Sequence, residues 1–489
     1  MSESPSPEMR SERATAGAAQ TGAHDPDESQ QAQSPPPLHE VIAKFVRTAR
    51  FEDLPPEVIE KTKAHIVYLL GRAFSGYYNY ETDIARAVLR RLDQGSEGVT
   101  VIGEHIRLSP SDAAFANGTM MRALFLDDLL FPGGVHPGVV TLPASLALGQ
   151  LHRATGRELL MSVVLGYEVL GKLGADVHVW ETSQPRRPTM IFGGYGPVTA
   201  AGRLLNLNDS QMANAFGYAA NLCMGVPEGG QMDHFYGFFS RNGVLAAQLA
   251  RAGGTPNSRY TLEGNLGLYA SFFGSVPAGL PQAVASLGAD WDILRAEYKR
   301  HHGTGANTVA IELLLALMRE HRLKASQIAS VRVALPQGSA ARKENFTRGP
   351  FQTAMAAYSS LPYALARALM DGRVAEEQYT MTEIRNPAAL TLASTIEFVF
   401  EDRTGRYCRV EVVTRAGQRH VATLDGFMFP FPRSEWRAWL QEDGGRLLGT
   451  KAVLAIEQDI ADLEHVPDVS RFIARLRPGS HRRQALSTQ

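Results

Sequence analysis

Residues 123–148, ALFLDDLLFPGGVHPGVVTLPASLAL, place two acids and an imidazole between two apolar runs. Asp127 and Asp128 lie in the first run, and His136 opens the second, followed by proline and glycine. A helix–loop–helix junction of this kind could hold a proton-transfer group in a pocket between helices. His136 is the natural candidate for general base or acid, because imidazole titrates near neutral pH. The alternative is that these side chains are solvated loop residues or helix caps.

A basic cluster lies further along the chain, in the stretch YKRHHGTGANT at residues 298–308. Lys299, His301 and His302 could form an anion site there, since the neighbouring glycines let backbone N–H groups approach a carboxylate closely. The alternative is a solvated basic turn.

The elements around these groups are mostly helical. Residues 1–37 are rich in Ser, Pro, Gln, Glu and Ala and hold almost no large apolar side chains, so we predict a disordered tail. From Leu38 onward, apolar residues recur at the spacing of one helix face. Further helices are predicted at about 84–93, 111–125, 138–153, 157–178, 196–206, 209–222 and 240–253.

The pattern changes after about Trp291, where β-branched runs begin to appear beside helices. Predicted strands are Val331–Leu335, Glu397–Glu401, Arg409–Arg415 and His420–Leu424. Helical periodicity returns beyond Pro432. We therefore predict a mainly α fold, in which a large all-helical domain of residues 38–292 and 433–480 is discontinuous and residues 293–432 form a smaller α+β lid domain.

Composition excludes several classes of protein. The 489 residues include 49 basic and 50 acidic side chains, and the net charge of −1 gives no general attraction to nucleic acid or to an anionic membrane. The two cysteines, Cys223 and Cys408, are far apart and lack a metal-ligand spacing. No apolar run reaches the roughly 20 residues that span a bilayer, and no apolar signal core opens the chain. We expect a cytoplasmic protein.

The order of these motifs resembles the MmgE/PrpD family, which includes 2-methylcitrate dehydratase and cis-aconitate decarboxylase. The resemblance rests on LDD, a Gly/Pro loop, HPG and LPASLAL, then on FFSRNGVLAAQLARAGGT and LEGNLGLY, and it extends from about Leu38 to Leu476. It implies that His136 lines the active site, that Lys299 belongs to it and that the Tyr363 hydroxyl reaches the substrate from a lid-domain helix. It also implies a homodimer that works without a cofactor. No dinucleotide fingerprint, P-loop or metal-ligand motif appears.

Several family positions are substituted here. Arg187, before Pro188 and Thr189, stands where the family has histidine, and an arginine can hold a carboxylate but cannot act as a general base. Met232 replaces a lysine, so the neighbouring His234 could act instead. The remaining replacements are Phe125 for Asp, Leu129 for Thr, and Asn307 and Thr308 for a Thr-His pair. The pocket is therefore more apolar, which makes a tricarboxylate substrate doubtful and favours a larger, partly apolar one.

The first hypothesis is a cofactor-free lyase of the dehydratase type, acting on a small molecule that bears a carboxylate or carbonyl group. Its catalytic residues would be His136, Lys299, Tyr363 and Asp127, and its substrate-binding residues would be Arg187, Asp128, His301 and His234. No metal is expected, and the pocket is expected between the two domains. The alternatives are a decarboxylase, epimerase or isomerase of the same family, and a binding homologue that has lost catalysis.

Overall fold

Helices form most of the chain, and a small sheet lies towards its C-terminal end. The structure, a computed structural model, describes residues 35–131, 133–175, 188–222, 234–256, 260–403, 405–426 and 433–479. The predicted disordered tail lies outside these residues up to residue 34. The helices are α1 Leu38–Thr48, α2 Pro56–Gly76, α3 Tyr80–Leu89, α4 Pro110–Arg122, α5 Pro137–Leu151, α6 Gly156–Ala175, α7 Pro188–Phe192, α8 Tyr195–Leu204, α9 Asp209–Asn221, α10 His234–Arg251, α11 Leu268–Phe273, α12 Leu280–Ala285, α13 Gly305–Glu320, α14 Ala354–Ser359, α15 Leu361–Asp371, α16 Pro387–Thr395, α17 Arg433–Leu448, α18 Thr450–Ala461 and α19 Ser470–Ala474.

Local side chains account for several of the helix starts. The Ser109 hydroxyl accepts a hydrogen bond from the first turn of α4. Asn208 and Gln211 form a capping box at α9. The Thr304 hydroxyl accepts from the first turn of α13. Each cap satisfies a backbone N–H group that has no partner within its own helix, so these starts are encoded by neighbouring residues.

One hydrophobic core contains side chains from both ends of the described chain. Helix α17 packs against α2, and Leu440 and Leu447 of α17 belong to the same core as Leu69 and Phe74 of α2. The C-terminal helices therefore complete the helical region, as a discontinuous arrangement requires. The boundaries of the two predicted domains stay a prediction.

A second core lies under the sheet. The strands are β1 Val99–Thr100, β2 Arg107–Leu108, β3 Leu129–Leu130, β4 Ala296–Glu297, β5 Ile328–Pro336, β6 Glu397–Glu401, β7 Tyr407–Thr414 and β8 Arg419–Asp425. Four of them form a sheet in the order β6-β5-β7-β8, in which β5 and β6 are parallel and the other pairs are antiparallel. Val333, Val410 and Val412 of this sheet pack against Leu314 of α13 and Leu365 of α15. These strands confirm the sequence prediction to within a few residues, and they confirm a mainly α fold with a smaller α+β part.

A third, smaller core connects the helical region to the α+β part. Residues 124–126, which follow α4, are buried together with Phe351, Tyr358, Tyr363 and Tyr379. Because residues 124–126 directly precede the two acids, this cluster holds the start of that motif against helices and loops of the α+β part. None of the helices in the described ranges has the length and apolar character required to cross a bilayer.

Candidate active site

A cavity of about 900 Å³, counted with its open mouth, is bounded by both the helical and the α+β parts. Its lining residues are Phe125, Leu129, Phe131, Gly134, His136, Lys299, Thr304, Gly305, Ala306, Val309, Leu335, Pro336, Ser339, Arg342, Gly405, Arg406, Tyr407, Cys408 and Leu424. His136 and Lys299, taken from two separate motifs of the sequence, thus line one space. A concave space between two parts of a fold is a common place for a small-molecule site.

Two very short strands bring those motifs together. Leu129 and Leu130 of β3 pair antiparallel with Ala296 and Glu297 of β4. Continuing this register by two residues places Asp127 opposite Lys299. The Tyr68 hydroxyl of α2 reinforces the pairing, because it accepts a hydrogen bond from the Lys299 backbone N–H at 3.1 Å and also contacts the Leu126 carbonyl oxygen.

Asp127 is the centre of a buried charge network. Its Oδ1 atom contacts the Arg122 guanidinium and lies 2.9 Å from Lys299 Nζ, and all three side chains are almost completely buried. Burial by itself raises the pKa of Asp127, but Arg122, His136 and Lys299 outweigh it and hold that pKa well below its ordinary value. Asp127 is therefore an anion, and it compensates the cations beside the cavity.

Lys299 is a lining residue of the cavity, and its ammonium group is buried beside Asp127. Burial is the largest influence on its pKa, Asp127 opposes this influence and Arg122 adds to it, and the pKa falls to about 8. Lys299 is thus still mainly a cation at neutral pH. A buried ammonium group of this kind can stabilise negative charge that develops on a bound molecule.

His136 is held as one tautomer. Its Nδ1 atom lies 2.6 Å from the Asp128 carbonyl oxygen, which can only accept, so Nδ1 carries the proton of the neutral ring. The Asp127 carboxylate is also near, with Oδ2 at 2.8 Å from Nδ1, but the Asp128 carbonyl lies in the better hydrogen-bond direction. Nε2 therefore keeps its lone pair, and within the described ranges we find no hydrogen-bond partner for it.

The pKa of His136 favours the neutral ring. Burial lowers it below the ordinary value of 6.5, Asp127 raises it, and the positive charge of Lys299 lowers it further. At neutral pH the imidazole is consequently a free base with Nε2 available to take a proton. A proton taken up there creates an imidazolium that Asp127, 2.8 Å away, stabilises electrostatically.

Asp128 serves the fold at this junction. Both of its carboxylate oxygens accept from the Gly138 N–H at 3.1 Å, which caps the first turn of α5. Its side chain is buried and is not part of the cavity lining. Burial and the neighbouring Asp127 raise its pKa to about 7, against hydrogen bonds from Tyr167 and Gly138. The geometry thus agrees with the helix-cap alternative for Asp128 rather than with substrate binding.

Phe125 occupies a strained position in the cavity wall. Its φ angle of +57° lies in the left-handed region that side chains other than glycine rarely adopt. Arg122 and Lys299 lie over its ring, with the guanidinium carbon at 3.8 Å and Nζ at 4.8 Å from the ring centroid. The aromatic ring thus shields the two cations from water, and Phe125 and Leu129 make this wall apolar, as the substitutions predicted.

Three other site residues predicted from sequence, Tyr363, His301 and His234, are not among the residues that line the cavity. The Tyr363 hydroxyl is directed at the carbonyl oxygens of Gln378 and Glu383, at 2.6 and 2.9 Å, inside the third core. The hydroxyl thus faces two backbone carbonyl groups, and the predicted role of Tyr363 towards the substrate stays a prediction. Tyr363 is buried because the aromatic cluster around it packs the junction of the two parts.

Two predicted histidines, His301 and His234, have hydrogen-bond partners outside the cavity. His301 Nε2 lies 2.6 Å from a carboxylate oxygen of Glu312, and His234 Nε2 lies 2.9 Å from the Glu81 carbonyl oxygen. Neither lines the cavity. Arg187 lies outside the described residues, so its predicted role in substrate binding stays a prediction.

Three cations at or beside this cavity, Arg122, Arg342 and Arg406, were not predicted from the sequence. Arg122 carried a detectable signal, because it is a lone arginine five residues before Asp127 in an otherwise apolar run. Arg342 and Arg406 line the cavity from the α+β part and gave no such signal, since nothing local distinguishes them from surface arginines. Among the residues that the structure describes, no three His, Cys, Asp or Glu side chains are grouped as metal ligands.

Family models and known relatives match nearly the whole chain. The model of the MmgE/PrpD N-terminal domain matches residues 40–280, and that of the MmgE/PrpD C-terminal domain matches residues 305–430. The cis-aconitate decarboxylase-like protein oryM of Aspergillus oryzae is 24% identical over 464 residues, which are 88% of this chain and 96% of that protein. The cis-aconitate decarboxylase of Aspergillus terreus is 22% identical over 467 residues, covering 89% and 95% of the two chains. The human cis-aconitate decarboxylase is 24% identical over 462 residues, covering 88% and 93%.

Proposed function

The chain belongs to the MmgE/PrpD family, and we propose that it is a lyase that works without an organic cofactor. It removes a proton from a carbon next to a carboxylate or other carbonyl group and expels a leaving group from the adjacent carbon. The observation that carries this proposal is the free Nε2 atom of His136 in a cavity whose wall also presents the Lys299 ammonium. A base and a cation at one cavity are what enolate formation requires.

His136 acts as the general base. Its Nδ1–H stays on the Asp128 carbonyl oxygen, while Nε2 accepts the substrate proton. The C–H electron pair moves into the developing enolate, then forms the C=C bond as the leaving group departs with its own bonding pair. Asp127 stabilises the imidazolium and keeps its orientation.

Lys299 stabilises the charge that appears on the carbonyl or carboxylate oxygen. Its burial makes this interaction stronger than it would be in water, and Asp127 holds the ammonium in place. Asp127 is therefore a positioning residue, because it acts on substrate only through His136 and Lys299. Tyr363, Asp128, His301 and His234 have no part in this proposal.

Decarboxylation is the second candidate reaction. It is favoured by the three relatives above, which are named as cis-aconitate decarboxylases or as similar to one. Lys299 would serve again, and His136 would enter this reaction as the imidazolium and donate its Nε2 proton, since loss of carbon dioxide leaves an electron pair next to a carbonyl group that must be protonated. The apolar side chains of Phe125 and Leu129 support a substrate with less negative charge than a tricarboxylate.

The decisive experiment incubates the purified protein in deuterated water with 2-methylcitrate, citrate, cis-aconitate and a set of 3-hydroxy monocarboxylates that bear apolar groups. Solvent deuterium in the substrate, C=C absorbance and released carbon dioxide are followed together. Elimination supports the lyase, whereas carbon dioxide release supports the decarboxylase. Exchange alone supports an epimerase or isomerase, and no exchange with any compound contradicts proton transfer and leaves a binding homologue.

Two further proposals concern the oligomeric state of the protein and its location in the cell. We propose a homodimer, on the strength of the family resemblance, and a cytoplasmic location, on the strength of the scarce cysteines. A monomeric mass in solution, measured by light scattering, contradicts the first proposal. Fractionation of cells that produce the protein tests the second.

A further inference from the structure

Among the residues that the structure describes, the charged side chains that line the cavity all carry positive charge. Lys299, Arg342 and Arg406 are lining residues, and no aspartate or glutamate is among them. The chain as a whole has a net charge of −1. The cavity is therefore a local concentration of cations, of which Lys299 belongs to the proposed proton-transfer site and the two arginines come from the α+β part.

One terminal nitrogen of the Arg406 guanidinium lacks a hydrogen-bond partner among the described residues. Arg406 lies just before strand β7, and its guanidinium carbon is 4.1 Å from the centroid of the Phe131 ring. Its Nη1 atom contacts the Glu297 carboxylate, whereas its buried Nη2 atom has no hydrogen-bond partner among the described residues. Arg406 therefore brings a guanidinium to the cavity wall, and a guanidinium can hold a carboxylate through two parallel hydrogen bonds.

The start of helix α13 adds backbone donors at the same cavity. Gly305 and Ala306, the first residues of this 16-residue helix, are lining residues. The Thr304 side chain accepts from the N–H of Asn307, the third residue of the helix, and within the described ranges we find no acceptor for the N–H groups of Gly305 and Ala306. Free N–H groups and the positive end of the helix dipole both favour a carboxylate.

The rest of the wall is apolar. Phe131, Val309, Leu335 and Leu424 supply most of the surface between the cations. An anionic group held at Arg406 would consequently leave the remainder of its molecule in contact with hydrocarbon. Such contacts stabilise a bound apolar chain in proportion to the surface they remove from water.

We infer that Arg406 and the N-terminus of α13 form a carboxylate-binding subsite, and that the substrate is a carboxylate attached to an apolar body. This inference rests on the proposed function, because it treats the cavity as the substrate site. Arg406 would determine specificity by pairing with the carboxylate through its forked donors. The apolar wall would disfavour additional carboxylates, since these would be desolvated without partners.

The test is a calorimetric binding titration with compounds that cannot react. The probes are hexanoate, its neutral analogue hexanamide, and tricarballylate as a tricarboxylate. The wild-type protein should bind hexanoate more tightly than either of the others. Arg406→Gln should weaken hexanoate binding by about 10-fold to 100-fold, the usual effect of losing a hydrogen bond to a charged group.

Arg403→Gln is the matched control. Arg403 lies three residues away in the same connection, is half exposed and does not line the cavity. Its variant should bind hexanoate like the wild type. If Arg406→Gln fails to fold because Glu297 loses its partner, the double variant Glu297→Gln/Arg406→Gln removes the ion pair without leaving a charge unpaired. That variant should show the same weakened binding.

The subsite is overturned if hexanamide binds as well as hexanoate or if Arg406→Gln binds like the wild type. If tricarballylate binds more tightly than hexanoate, the inference that the substrate has an apolar body is wrong. Binding is measured without turnover, so these results are independent of the proton-transfer test. If the protein catalyses deuterium exchange but hexanoate binding does not depend on Arg406, only the subsite proposal is contradicted. If hexanoate binding depends on Arg406 but no exchange occurs, only the lyase proposal is contradicted.

Discussion

The ammonium group of Lys299 lies 2.9 Å from the Asp127 carboxylate, although 172 residues separate the two in sequence. The antiparallel pairing of β3 with β4 sets this contact. It links the two motifs that could carry chemistry, and it makes one buried carboxylate the common partner of Arg122, Lys299 and His136.

Asp127→Asn should destabilise the protein strongly. The variant leaves two buried cations without their anion, and removing one partner of a buried ion pair typically costs about 3–5 kcal/mol. Chemical denaturation measures the change in the free energy of unfolding. Glu397→Gln, which breaks the exposed pair with Arg332, is the control and should change stability little. Equal effects of the two substitutions would show that the Asp127 network is not a stabilising centre.

His136→Ala should lower kcat by about 10²–10⁴-fold on whichever compound the exchange assay identifies, because general acid–base groups contribute on that scale. The circular dichroism spectrum should stay that of the wild type, since the side chain lies at the cavity wall rather than in the core. His152→Ala, at an exposed histidine outside the cavity, should keep full activity. Near-full activity of His136→Ala would exclude it as the base.

The pH dependence of kcat/KM should be bell-shaped. On the acid side activity rises as His136 loses its proton, and since its pKa is lowered from 6.5, this limb lies below pH 6.5. On the alkaline side activity falls as Lys299 loses its charge, at a pH of about 8. Lys299→Arg should move the alkaline limb upward, because a guanidinium keeps its proton. An unchanged alkaline limb in that variant would assign it to another group.

Gly138→Ala should disturb the start of α5 and the adjacent His136. A Cβ atom at position 138 would lie 2.3 Å from Tyr167 Oη and 2.7 Å from Asp128 Oδ1, distances that real Cβ atoms do not show. Overpacking of this kind costs roughly 1–3 kcal/mol, so the melting temperature and activity should both fall. The control is Gly445→Ala in α17, where the nearest atom is 3.8 Å away. It should be neutral or stabilise by about 0.5–1 kcal/mol.

Tyr363→Phe should reduce stability and leave kcat unchanged. The substitution removes the hydroxyl that donates to the Gln378 and Glu383 carbonyls, and a buried acceptor left without a donor costs about 1–3 kcal/mol. Thermal denaturation and steady-state kinetics separate the two effects. Tyr78→Phe, at a half-exposed tyrosine, should alter neither. A large loss of kcat at full stability would return Tyr363 to the catalytic set.

Sequence by itself determined the class of fold and most of the elements. Helical periodicity, helix caps such as Ser109 and Asn208, and runs of β-branched residues depend on neighbours a few positions apart, so they can be detected along the chain. The strand Glu397–Glu401 was predicted with its observed bounds. Two of the residues that line the cavity, His136 and Lys299, were also found from the sequence, because each lies in a motif with an unusual local composition.

Only the tertiary structure decided which side chains share the cavity. Strands β3 and β4 have two residues each, too few to give a periodic signal, yet their pairing places Asp127 beside Lys299. In the folded protein Asp128 caps the first turn of α5, and Tyr363 is buried in the third core. Arg406, in the connection between β6 and β7, lines the cavity. The contacts of Asp127 with Lys299 and of Arg406 with Glu297 join residues more than a hundred positions apart, and no local pattern of residue types specifies those contacts.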